Sequence, residues 1–226
     1  MKYNNVEKGV FTERPNRFIA YVEIDGKKEV VHVKNTGRCR ELLIPGVEVY
    51  VERAKNPNRK TKYDLIAVRK GEGLYNIDSQ APNKVFREWI IDSGYFGDVD
   101  VVKAESVYGK SRFDFYIQAQ DRKIYAEVKG VTLEKDGILM FPDAPTQRGV
   151  KHLEELCDCI KDGFEAYIVF VIQTEMAKYF TPNAETHPEF AEALKKAKDC
   201  GVNILALNCH VTEDALKINT FVPVKI

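Results

Sequence analysis

The chain has 226 residues, 44% of them hydrophobic and 30% charged. That is the composition of an ordinary globular protein, with length for one large domain or two modest ones. Its longest apolar run, Tyr167 to Ile172, is far too short to span a membrane. The polar stretch Met1 to Val10 has the character of neither a signal nor a transit peptide, so a cytoplasmic location is expected.

Formal net charge is zero, but it is unevenly spread. Residues 1–80 carry 16 Lys and Arg against 11 Asp and Glu, whereas residues 81–226 carry 18 against 23. A basic module joined to an acidic one suits a nucleic-acid partner for the first and metal-binding carboxylates for the second. The five cysteines (Cys39, Cys157, Cys159, Cys200, Cys209) are irregularly spaced, which fits free thiols better than a disulfide framework. Cys157-Asp-Cys159 is half of a zinc pattern, with no second Cys or His pair at ligand spacing.

From Phe11 to about Tyr75 short strands alternate with turns. Strands are expected at Phe18–Ile24, Val30–Val33, Val47–Arg53 and Leu65–Arg69. Turns are expected at Asp25-Gly26, Asn35-Thr36-Gly37, Pro45-Gly46 and Asn56-Pro57-Asn58. So many short strands in under eighty residues predict a small OB-like β-barrel over 1–80. Arg14, Arg17, Lys34, Arg38, Arg40, Arg59, Lys60 and Lys62 cluster near these turns, where a barrel meets a phosphate backbone.

A boundary is expected at Gln80–Asn83, with Asn83 capping a helix whose apolar stripe is Val85, Phe86, Trp89 and Ile90. Val101–Val107 reads as a strand carrying Glu105. The stretch Ser111 to Lys129 then forms two arms of period two, as half-buried strands do. Phe113, Phe115 and Ile117 alternate with Arg112, Asp114 and Tyr116. Ile124, Ala126 and Val128 alternate with Tyr125, Glu127 and Lys129. A hairpin turning at Gln120-Asp121 sets Asp114 opposite Glu127. Opposed carboxylates weaken a sheet, and Mg²⁺ or Mn²⁺ held between them is the simplest compensation. Lys129, two residues beyond Glu127 on the same face, can orient a water or a phosphate. Asp, a dozen-residue gap and Glu-x-Lys resemble the pattern of PD-(D/E)XK nucleases.

After a turn at Asp136-Gly137, Thr146 or Asp143 can cap a helix with Val150, Leu153, Cys157 and Ile160 inward. Arg148, His152 and Glu155 share another face of it. A continuous apolar strand (Tyr167–Ile172), a helix (Pro188–Cys200), a strand (Val202–Leu207) and an extended piece (Leu216–Val224) complete residues 81–226. The order from Asn83 is α-β-β-β-α-β-α-β, containing the PD-(D/E)XK core. The expected class is α/β, or α+β overall, with the barrel followed by a restriction-endonuclease-like domain whose mixed central sheet is flanked by helices.

Four stretches together resemble the sugar fermentation stimulation protein A (SfsA) family over essentially the whole chain. They are Asn35-Thr36-Gly37, Ser111-Arg-Phe-Asp114-Phe, Glu127-Val-Lys129-Gly-Val-Thr-Leu133, and Phe141-Pro-Asp-Ala-Pro-Thr-Gln-Arg148-Gly-Val-Lys-His152-Leu. The resemblance implies an OB-like domain and a nuclease-like domain, non-specific DNA binding, and a regulatory link to sugar metabolism, maltose in particular. It also implies site positions at Glu105, Asp114, Glu127 and Lys129, with Arg148 and His152 beside them. Two functions follow as alternatives: a Mg²⁺- or Mn²⁺-dependent phosphodiesterase, or a DNA-binding regulator without turnover on the same scaffold. Oligomeric state is left open, a homodimer included.

Overall fold

Alternating apolar residues between tight turns give the first half of the chain its curvature. The computed structural model describes all residues except Thr36, Pro57 and Lys110, so the expected turns at Asn35-Thr36-Gly37 and Asn56-Pro57-Asn58 lie partly outside the described residues. Strands β1 (Val6–Glu13), β2 (Ile19–Ile24), β3 (Lys27–Val33), β4 (Glu48–Arg53) and β5 (Tyr63–Lys70) run in the order β3-β2-β1-β4-β5. Parallel pairing of β3 with β5 closes them into a barrel, with β6 (Gly73–Asn76) added beside β5. Asp25 and Gly26 both take positive φ, as a two-residue hairpin requires. Val22, Val31, Val49, Leu65 and Val68 fill the interior.

The barrel matches the expectation, but two of its strands do not appear in the sequence reading. β1 is hidden because Gly9 and three charged residues interrupt its apolar alternation, and β6 because it is only four residues long.

The second half is built on a mixed six-stranded sheet. Helix α1 (Ala81–Asp92) precedes β7 (Val101–Tyr108), β8 (Ser111–Ala119) and β9 (Arg122–Val131). Then follow a small sheet's strands β10 (Leu133–Lys135) and β11 (Ile138–Phe141), helix α2 (Gln147–Lys161), β12 (Glu165–Ile172), β13 (Tyr179–Pro182), helix α3 (Pro188–Asp199), β14 (Asn203–Val211) and β15 (Leu216–Phe221). The large sheet has the order β15-β14-β12-β9-β8-β7, with β12 parallel to both β9 and β14. β12 is buried from Ala166 to Ile172, because helices cover both faces of the sheet. Leu153, Leu156, Phe190 and Leu194 of α2 and α3 pack on Ile168, Phe170 and Ile172. Val85, Phe86 and Ile90 of α1 pack on the other face, against Phe115, Ala126 and Val169.

Two expectations need correction. Asn83 does not cap α1: the helix begins at Ala81 after Gln80, with Pro82 in its first turn, where a missing N–H costs nothing. And β10, β11 and β13, absent from the reading, form a separate three-stranded sheet. β10 and β11 are joined by the expected turn, Asp136 and Gly137 both having positive φ. No helix among the described residues is long and apolar enough to cross a membrane.

Candidate active site

The central hairpin has the expected register, and the carboxylates sit where that register gives out. Pairing of β8 with β9 runs from Ala119↔Arg122 to Phe115↔Ala126 and stops, one step short of Asp114 and Glu127. β7 shows a matching interruption: pairing passes from Ala104↔Phe115 to Ser106↔Phe113, skipping Glu105, whose φ is 54°. With ladder bonds lost on both sides, β8 twists. Phe113 turns under α2 with Leu153, while Phe115 and Ile117 stay under α1. The three therefore do not share one face as their spacing predicts.

Asp114 uses its side chain where the ladder ends. Its Oδ2 accepts the Val128 N–H at 2.8 Å, and its Oδ1 accepts the Asn83 Nδ2 amide at 2.9 Å. Burial, reinforced by the charge of nearby Glu127, pushes its carboxyl pKa up. A cation placed beside it would favour the ionised form.

Glu127, 3% exposed, lies against α2. Its Oε1 accepts hydrogen bonds from Lys129 Nζ at 2.6 Å and from His152 Nδ1. Its Oε2 is buried and has no partner among the described residues. Burial pushes the Glu127 carboxyl up, but the His152 hydrogen bond and the Lys129 charge outweigh it and hold the group below its usual range. His152 is fixed from its other side by Arg148, whose Nε donates to His152 Nε2 at 3.4 Å. Helix α2 presents Arg148 and His152 because Thr146 caps it, Oγ1 accepting the Gly149 N–H at 3.1 Å. Asp143, the alternative cap, instead accepts the Arg38 N–H at 3.3 Å through Oδ2.

Asp114, Glu127, Lys129, Arg148 and His152 are thus assembled at one end of the hairpin. Glu105 is not joined to them. Its side chain is 58% exposed and its carboxylate pairs with Arg112 at 2.8 Å, the reversed φ having turned it outward. Among the described residues no group of three His, Cys, Asp or Glu side chains is arranged to hold an ion, which leaves Asp114 and Glu127 as the paired donors. A buried carboxylate oxygen without a hydrogen bond is uncommon in folded proteins, and it is a donor a hard divalent cation takes. The residues present fit such an ion.

The basic residues of the barrel divide into two sets. The Arg14 guanidinium donates to the carbonyls of Asn35, Gly37, Arg38 and Arg17 at 2.6–2.9 Å, tying two loops together. Lys34 pairs with Asp78 at 3.0 Å and Arg59 with Asp64 at 2.8 Å. These three, expected at a phosphate backbone, are instead internal cross-links. Arg17, Arg38, Arg40, Lys60 and Lys62 are exposed, with Lys62 3.6 Å from Glu29.

The sequence reading misses Asn83 as a partner of Asp114, since a polar residue in a first helical turn looks like a cap. It also misses a cavity of about 150 Å³ at the end of β9, lined by Asn35, Gly37, Ser79, Gly130, Asp143 and Gln173 among others. A Cβ on Gly37 would lie 2.5 Å from Asp143 Oδ2, and one on Gly130 2.8 Å from Gln173 Oε1. Only glycine leaves this space open.

Comparison with known proteins completes the description. A family model described as SfsA N-terminal OB domain matches residues 12–77, and one described as Sugar fermentation stimulation protein RE domain matches residues 80–215. A Sugar fermentation stimulation protein homolog of Desulfitobacterium hafniense is 59% identical over 226 residues, covering 100% of this chain and 99% of its own. One from Clostridium beijerinckii is 58% identical over 224 residues, covering 99% of each. Among solved structures, that of Pyrococcus furiosus SfsA in complex with Ca²⁺ superposes with a TM-score of 0.89 at 30% identity, over 100% of this chain and 98% of that one.

Proposed function

This chain belongs to the sugar fermentation stimulation protein family, and on that premise we propose that it binds DNA and hydrolyses phosphodiester bonds with a divalent metal ion. The observation that carries the reading is the unpartnered, buried Oε2 of Glu127 beside Asp114 and Lys129. A protein that only bound DNA would gain nothing from two carboxylates there, since they repel phosphate. The Ca²⁺ complex of the Pyrococcus furiosus relative is consistent with a cation site in this family.

Asp114 and Glu127 would hold Mg²⁺ or Mn²⁺. Such an ion, when bound, polarises a phosphodiester and makes a water nucleophilic near neutral pH. The chain's own groups have separate tasks. Asn83 and the Val128 N–H aim the Asp114 carboxylate. His152 holds Glu127 Oε1, so that Oε2 is the oxygen left for a ligand. Lys129, anchored on the same Oε1, orients a water or a phosphate oxygen beside it. Arg148 holds the His152 ring from its other side and brings positive charge to the rim, where it opposes the negative charge that builds on phosphoryl oxygens.

A non-catalytic DNA-binding regulator remains the second reading. Lys129 already pairs with Glu127, so the fold is balanced in part without an ion. The family's name associates either reading with sugar metabolism.

The test is incubation of the protein with single- and double-stranded DNA, with and without Mg²⁺ or Mn²⁺, beside Asp114→Ala. Metal-dependent cleavage that Asp114→Ala abolishes is the expected result. Intact DNA that is still bound would leave the regulator and remove the catalytic roles.

A further inference from the structure

The barrel carries a second cavity, of about 350 Å³, whose composition differs from a plain basic patch. Phe11, Leu43 and Pro45 give it an apolar floor, and Arg17, Arg38 and Arg40 stand around it, with Glu13 the one acidic residue in the lining. The volume lies at the lower end of sites that hold a small organic group. Arg17 lies over the ring of Phe18, 4.7 Å from its centroid. Phe18 is 47% exposed and Ile44, between Leu43 and Pro45, is 52% exposed. Among the described residues neither Arg38 nor Arg40 forms an ion pair, so both cations are unneutralised.

Contact with a duplex needs cations spaced along phosphates and has no use for an exposed aromatic ring, because paired bases are stacked inside the helix. An unpaired strand offers both phosphates and free base faces, and is held by an aromatic platform with arginines around it. Phe18, exposed next to Arg17 at the cavity's edge, supplies the ring, and Arg17, Arg38 and Arg40 supply the cations.

Its position adds direction. Gly37 lines this cavity and also the smaller one that reaches Gly130, the neighbour of Lys129. Arg14 holds the loop between them by its carbonyl contacts to Asn35, Gly37 and Arg38. The arginine rim therefore lies on the side of the barrel that meets the end of β9.

We propose that exposed Phe18 and the adjoining cavity rimmed by Arg17, Arg38 and Arg40 together bind an unpaired DNA strand. This rests on the DNA-binding reading above and narrows it to single-stranded substrate, or to the unpaired end of a duplex.

The experiment measures binding of the full chain, without added metal, to a fluorescent oligothymidylate, to the same strand in duplex, and to oligouridylate. Wild type is compared with Phe18→Ala and with Arg38→Ala/Arg40→Ala. Phe18 is half exposed, so its truncation leaves the barrel core intact, and thermal melting checks this. The inference expects oligothymidylate to bind tighter than the duplex, and Phe18→Ala to weaken the single strand by roughly 5- to 100-fold, the range of one base–aromatic stack, while barely affecting the duplex. The arginine pair should weaken both. Equal binding of single strand and duplex, preference for oligouridylate, or Phe18→Ala binding that matches wild type would overturn it. Duplex binding retained in those cases would leave the broader DNA-binding reading standing, whereas no binding to any probe would remove both.

Discussion

Glu127 has one oxygen saturated and the other bare. Lys129 and His152 both donate to Oε1, whereas Oε2 faces no donor within the described protein. Asp114, close by, has each oxygen engaged once, and a carboxylate oxygen has room for a further partner. The sequence shows these residues by type and spacing, because Asp and Glu-x-Lys on alternating strands are visible without coordinates. Which oxygen is free is not visible, since it depends on His152, twenty-five residues beyond Glu127 and on another element. Residue-scale electrostatics also makes a prediction away from the site. Glu48 accepts from Lys8, Tyr50 and Arg69, which lowers its pKa from the usual 4.5 to about 2. A depressed carboxyl contributes stability that is present above its unfolded pKa and lost as pH falls through the folded one. Glu48→Gln is therefore expected to be less stable than wild type at pH 7. The gap should close between about pH 4.5 and 2. Because Lys8 and Arg69 are solvent-exposed, the gap should be at most about 1 kcal/mol. Urea midpoints across that pH range would measure it, and a gap constant down to the lowest pH would contradict it.

Elements differ in how much of their placement the chain declares locally. Helix α2 was readable: prolines stop before it, Thr146 caps it, and its apolar stripe is regular. β12 was equally plain as an uninterrupted apolar run. What could not be read is where β8 leaves β9, because that break answers to Glu105 on β7 and to the Asp114 side chain, not to the alternation of β8 itself. The small β10-β11-β13 sheet escaped for a related reason. Its strands are three or four residues long, and β13 joins β11 across the sequence by parallel pairing. The cap of α2 matters to the site because it sets the first turn from which Arg148 and His152 project. Thr146→Ala should cost about 1 kcal/mol in urea unfolding. An unchanged stability would mean that the packing of Phe190 against Gly149 and Leu153, rather than the cap, holds this helix end.

At the scale of the molecule the barrel and the sheet meet through buried polar contacts. Gln173 donates to Asn76 Oδ1 at 2.9 Å and to the Asp78 carbonyl at 3.0 Å, and Lys70 reaches Glu134 at 2.6 Å. Gln173 is 1% exposed and Asp78 0%, so the junction is costly to open. Such pairs join residues 64 to 97 positions apart, and no local pattern announces them. Barrel, sheet and helices could each be anticipated, but not that Gly37 of the barrel and Gly130 of β9 would line one cavity. The account stands on the claim that Asp114 and Glu127 receive a divalent ion at the bare oxygen. Calorimetric titration of Mn²⁺ into the full chain and into Glu127→Gln tests it without any nucleic acid. Glu127→Gln keeps the shape of the side chain and removes its charge. The account predicts saturable binding to the wild-type chain that Glu127→Gln loses, with both proteins folded by circular dichroism. Equal binding by the two, or none by the wild-type chain, would contradict it.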